Sequence, residues 1–322
     1  MHMHGGEGVN WTEKYRPNTM SAMTGLKVLK ADSASWYSSQ QYPPALLFSG
    51  PPGTGKTSAA RAICIDMHGE DWPANYMVTN ASDDRGISFV RQELKGVARV
   101  KSPTGKRKII LLDEADGLTP AAQDALRQVI ETTSRSTLFI LTANNPEKLK
   151  SAIVSRCRHY RFSPISPEEG GARLCTYIQK EGRPQEWCEH TEEVISVCNG
   201  DMRRALSFLE SLSPEPDALL AALRIENFEL DSASLALLAG DLSLVSVRIN
   251  GALERGEDRF TILNGLRRRI RGMLEDDEYF KFMLTWGEFM QMTMEWPSDD
   301  QAFFEYFVAT LASNTDSSFK NH

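Results

Sequence analysis

The sequence predicts an α/β domain on a parallel sheet, followed by two helical domains. Three observations predict it. A glycine-rich loop is lodged between an apolar run and a helical stretch, two further apolar runs end in polar side chains, and the remainder is helical in pattern with proline-rich breaks. A central parallel strand reads as a short unbroken apolar run because both its faces are covered.

The first such run is ALLFS at 45–49, which leads directly into Gly50-Pro51-Pro52-Gly53-Thr54-Gly55-Lys56-Thr57, with a helical stretch from Ser58 onward. Strand, G-x-x-x-x-G-K-T, helix is the full context of a phosphate loop. Its glycines let backbone N–H groups converge on phosphate oxygens, and the helix N-terminus adds partial positive charge. Lys56 is expected to reach the β and γ phosphates and Thr57 to offer its hydroxyl to Mg²⁺.

The second run, IILL at 109–112, ends in Asp113-Glu114-Ala115-Asp116. A carboxylate at a strand tip beside the phosphate loop is placed to hold magnesium, which is the expectation for Asp113. Glu114 is then placed to orient or deprotonate an attacking water. An acidic turn alone is a weak signal; at a strand end after a phosphate loop it is strong. The third run, TLFILT at 137–142, delivers Asn144 and Asn145. An amide here either senses the γ phosphate, positions the water, or merely makes a turn. No NKxD guanine-reading motif occurs, so ATP is favoured over GTP.

The 322 residues suffice for two or three domains, and an apolar fraction of 41% with 25% charged residues suits a globular protein. No apolar run approaches the length of a membrane span and no secretory leader pattern is present, so a cytoplasmic protein without membrane contact is expected. The five cysteines form no CxxC spacing, which predicts reduced thiols and no zinc site. The net charge of −7 is unevenly spread: residues 1–162 carry 21 basic against 15 acidic side chains, and 213–322 carry 10 against 19. A basic first half in an acidic chain predicts a local polyanion site. Residues 85–108 concentrate it, with Arg91, Lys95 and Arg99 recurring every four residues opposite an apolar face of Ile87, Val90, Leu94 and Val97. On spacing alone that stripe is either a solvated face or a phosphate track.

The motifs WTEKYRP (11–17), GPPGTGKT (50–57), NASDDRGI (80–87), LLDEAD (111–116), TAN (142–144), SRC (155–157) and GDMRRAL (200–206) follow one another as in clamp-loader AAA+ ATPases. The set resembles a small subunit of replication factor C over roughly residues 10–212; the rest matches in position and helical character only. The resemblance implies a P-loop AAA+ domain with a five-stranded parallel sheet and flanking helices at 1–162. It further implies a small helical lid at 163–212 and an all-α collar for oligomerisation at 213–322. It implies that Tyr15, Arg16 and Pro17 lie along the adenine and that Arg203 reaches ATP from the lid. By the same resemblance Arg156 is a finger offered to ATP on the adjacent subunit, where the residue alone would read as a surface or lid-pairing arginine, and Arg85, Arg91 and Lys95 follow the phosphates of primer-template DNA. Asn80 matches a position that holds the catalytic glutamate off line until DNA arrives. Trp72 and Tyr76 stand where relatives touch the sliding clamp, or else pack internally. The function implied is ATP-dependent clamp loading during replication, with other small subunits, a distinct large subunit, the clamp and DNA of any sequence as partners. The compartment implied is cytoplasmic and nucleoid-associated, or nuclear in a eukaryote. The competing readings are a branch-migration motor or initiator of related fold, and a structural subunit that binds ATP without hydrolysing it. The Phe-, Met- and Trp-rich stretch 279–311 reads as helix core or subunit interface, and Arg267, Arg268, Arg269 and Arg271 as a solvated or intersubunit face, with DNA contact the lesser alternative.

Overall fold

The computed structural model describes residues 10–81, 86–102, 104–239, 241–254 and 259–293, together with 303, 304, 306 and 307. Five strands form one sheet: β1 (Ala45–Ser49), β2 (Tyr76–Asn80), β3 (Lys108–Asp113), β4 (Thr137–Ala143) and β5 (Cys157–Arg161). Their order is β2-β3-β4-β1-β5 and every pairing is parallel. The expected five-stranded parallel sheet is present.

Strand alternation explains how the sheet is held, because successive side chains point to opposite faces. Leu47 of β1, Ile110 and Leu112 of β3, and Phe139 and Leu141 of β4 enter one core with Val90, Leu94, Leu126 and Ile130. Leu46, Phe48, Ile109, Leu111, Leu138 and Ile140 enter the other with Leu29, Trp36, Ile63 and Met67. Helices Lys27–Ser39 and Lys56–His68 supply the second face, and helix Pro120–Thr133 the first. Each fully buried Leu, Ile or Phe contributes about 1.5–3 kcal/mol before conformational entropy is subtracted.

The stretch containing Arg91 departs from a plain α-helix. Phe89–Leu94 is a π-helix that runs into an α-helix at Lys95–Arg99. Val90, Leu94 and Ala98 are nevertheless buried and Arg91 and Arg99 exposed, so the four-residue spacing keeps the stripe on one side.

The chain separates into two compact units: residues up to Glu181 with Gly200–Ser211, and Gly182–Asn199 with Leu212 onward. The second unit contains helices Ala218–Ala239, Leu242–Glu254, Arg259–Met273 and Asp276–Thr293. Its core gathers Val245, Ile249, Ile262, Leu266, Ile270, Phe282, Trp286, Phe303, Phe304 and Phe307. Much of the aromatic-rich stretch is therefore internal packing, while Phe280 and Leu284 are exposed. The arginine run has partners within this unit: Arg268 donates to the Ser196 carbonyl at 2.9 Å, Arg269 lies 3.4 Å from Asp231, and Arg271 pairs with Asp276 and covers the Tyr279 ring.

Cys64 and Cys157 are free thiols, but Cys175 and Cys188 are each disulfide-bonded, which corrects the expectation of reduced thiols throughout. Disulfide formation depends on close approach in space, which cysteine spacing in a chain does not disclose. No helix among the described residues is long and apolar enough to cross a membrane.

Candidate nucleotide site

The C-terminal ends of neighbouring parallel strands are where α/β sheets place ligands. Here β3, β4 and β1 stand side by side and end in Asp113, Asn144 and the phosphate loop respectively. One cavity opens on these ends. Of the expected residues, Tyr15, Arg16, Pro17, Pro52, Gly53, Thr54, Gly55, Lys56, Thr57, Ser58, Asp113, Glu114, Asn144 and Arg203 all line it. Gly50 and Pro51 do not, but their carbonyls accept hydrogen bonds from Lys56 Nζ at 2.6 and 2.7 Å.

Lys56 Nζ also donates to Asn144 Oδ1 at 2.9 Å, so the lysine joins the loop to the tip of β4. Burial pulls its ammonium down to about 8, although Asp113 and Asp116 act in the other direction. Thr57 Oγ1 donates to Asp113 Oδ2 at 3.0 Å. A hydroxyl and a carboxylate are hard oxygen donors of the kind magnesium takes while keeping water and phosphate for its other positions. Among the described residues no cluster of three His, Cys, Asp or Glu could hold a metal by itself.

Glu114 sits in the left-handed region at φ 55° and is exposed at the cavity edge, and its N–H donates to Thr142 Oγ1 at 3.0 Å. Thr142 also donates to Asp113. This buried threonine thus orients both acidic residues, a role sequence reasoning missed; its one signal is a hydroxyl near the end of a largely apolar strand. Asp116 accepts from the Asn145 N–H at 3.0 Å and so fixes the turn that carries Asn144. Gln123, also missed, is buried and ties the acidic turn to the segment after β4: it donates to the Leu118 and Lys148 carbonyls and accepts from the Lys150 N–H.

The far wall comes from helices Pro167–Lys180 and Met202–Ser211 and from the N-terminal segment. Tyr15 stacks on Tyr177 with ring centroids 4.0 Å apart, and its hydroxyl bonds to Glu181. Burial and the neighbouring Glu181 carboxylate push the Tyr15 phenol upward. Arg173, Tyr177, Met202 and Leu206 line the cavity without having been anticipated, because only folding brings these two helices back to the phosphate loop.

Arg156 lies outside this cavity. Its Nε meets Glu131 at 2.6 Å and its guanidinium donates to the Ala152 carbonyl, leaving it partly exposed at the surface. Arg156 holds the Glu131 carboxyl below its ordinary value. Arg91 is exposed and Lys95 half-buried, and neither has an ion-pair partner among the described residues. Arg85 lies outside the described residues. Asn80 stands beside Asp113 in the β2–β3 register. Trp72 and Tyr76 pack against the second core, 5.8 Å apart, with Arg61 over the Trp72 ring.

Residues 46–165 match the ATPase family associated with various cellular activities (AAA). The chain is 34% identical over 279 residues to a replication factor C small subunit of Halobacterium salinarum, covering 83% of this chain and 84% of that one. It is 41% identical over 204 residues to the replication factor C small subunit of Aeropyrum pernix, covering 63% of this chain and 62% of the relative. A third such protein, from Archaeoglobus fulgidus, is 42% identical over 203 residues, 62% of each chain. The match thus spans less than two thirds of the length of some relatives. Among solved structures the RuvB Holliday junction branch migration motor of Thermotoga maritima aligns with a TM-score of 0.53 at 16% identity, covering 69% of this chain and 79% of that one. At that identity the likeness speaks for the fold alone.

Proposed function

The chain belongs to the replication factor C small-subunit family of AAA ATPases, and from that premise we propose that it is an ATP-dependent clamp-loader subunit. It assembles with further small subunits and a distinct large subunit, and helps open a sliding clamp and load it onto primer-template DNA. The carrying observation is that phosphate loop, acidic turn, Asn144 and Arg203 converge on one cavity while Arg156 stays outside it.

Lys56 and Arg203 hold the phosphates of ATP by charge, and the backbone of Gly53–Thr57 donates to them. Thr57 and Asp113 would hold Mg²⁺, which supplies charge neutralisation on the phosphate oxygens. Glu114 takes the proton of the attacking water, held in aim by its N–H bond to Thr142. Asn144, bonded to Lys56, positions the water or the γ phosphate. Arg156 leaves Glu131 to meet the γ phosphate on the adjacent subunit, so hydrolysis is completed at the seam between chains. Arg91 and Lys95, with Arg85, contact DNA phosphates and therefore do not read sequence. A lid at 163–212 carries Arg203, a collar from 213 onward joins the subunits, and the protein works in the cytoplasm or nucleus.

The test measures ATP turnover by the reconstituted assembly with and without clamp and primed DNA. Stimulation by both together supports the proposal. Turnover indifferent to clamp but driven by branched DNA would favour a branch-migration motor, and binding without turnover a structural subunit.

A further inference from the structure

Asp201 makes two contacts that a helix cap alone does not require. It precedes helix Met202–Ser211, and its Oδ1 accepts from the Arg203 N–H at 2.8 Å and the Arg204 N–H at 3.1 Å. That is ordinary capping, which asparagine or serine performs as well. The same carboxylate bears on the phosphate loop. A Cβ placed on Gly53 would fall 1.9 Å from Asp201 Cγ and 2.0 Å from each oxygen, and Gly53 has φ +71°. The Gly53 Cα is therefore the surface on which the lid helix is seated.

The second oxygen, Oδ2, accepts no hydrogen bond among the described residues, and the negative charge reaches Lys56. An acid pressed against a loop that gathers phosphates works against their binding. We infer that Asp201 is a positioning residue that seats the Arg203 helix on the phosphate loop, and that its charge there speeds the release of bound nucleotide.

This inference rests on the reading of the cavity as a nucleotide site. Like charges several ångströms apart repel appreciably at the effective dielectric of a partly buried site, and the cations Lys56, Arg203 and Arg204 offset part of the effect. Removing the charge while keeping cap and shape should slow release about three- to tenfold.

The experiment follows release of a fluorescent ADP from the full chain and from Asp201→Asn, with thermal melting alongside. Asn keeps the cap, so the variant should melt as the wild type does and release ADP about three- to tenfold more slowly. Asp201→Ser, a second neutral cap, gives the same readout should the asparagine variant fail to fold. Wild-type release rates in the folded neutral variants overturn the inference and leave Asp201 a cap. Absence of nucleotide binding by the wild-type chain overturns the reading of the cavity itself, and this inference with it.

Discussion

If Lys56 meets nucleotide phosphates, binding must take up a proton in mildly alkaline solution. The perturbation is pH. In the free chain burial lowers the lysine to about 8, so it is half protonated at pH 8. Phosphate charge favours the ammonium and restores the value toward or above the ordinary 10.4. The sign follows: the bound state holds more protons than the free one, so affinity falls as pH rises above 8. Uptake should be about 0.1 proton at pH 7, about half a proton at pH 8 and about 0.9 at pH 9. At pH 8–9 the γ phosphate of free ATP is already ionised and contributes little. Calorimetry of ATP binding in buffers of different ionisation enthalpy reads the uptake directly, and Lys56→Arg should abolish it because arginine stays charged. Uptake near zero at pH 8–9 in the wild type would refute the reasoning, since Lys56 would then be charged already or remote from the phosphates.

Gln123→Ala deletes three hydrogen bonds of a buried amide and opens a small cavity, so a loss of about 2–4 kcal/mol is expected by denaturant unfolding. A change below about 1 kcal/mol would mean the acidic turn and the segment after β4 are held by other contacts. Arg91→Ala should reduce DNA-stimulated ATP turnover and flatten the salt dependence of DNA binding by about one unit per subunit replaced. Unaltered stimulation would make the basic stripe a solvated face.

The central strands were legible because β1, β3 and β4 are covered on both faces and leave continuous apolar runs. The edge strands were not. Tyr76–Asn80 and Cys157–Arg161 are only partly buried, and β5 is largely charged, as edges tend to be. Nor could sequence distinguish the π segment, because Ile87, Val90, Leu94 and Val97 fit α and π windings alike. The cavity's loop and acidic residues were readable as local motifs, since each is fixed by a single strand end. Thr142, Gln123, Arg173 and Tyr177 were not, because their roles arise from approach of segments distant in the chain. The bonded state of Cys175 and Cys188 escaped because the spacing of cysteines in a chain does not disclose which thiols meet.

The most direct test concerns Arg156. The proposed clamp-loader assembly should be reconstituted with Arg156→Ala, and ATP affinity and turnover measured at the site on the neighbouring subunit. The account predicts affinity nearly unchanged and turnover lowered by about a thousandfold or more. Turnover equal to that of the wild-type assembly, or a verified monomer that hydrolyses ATP as fast as the assembly, would contradict it.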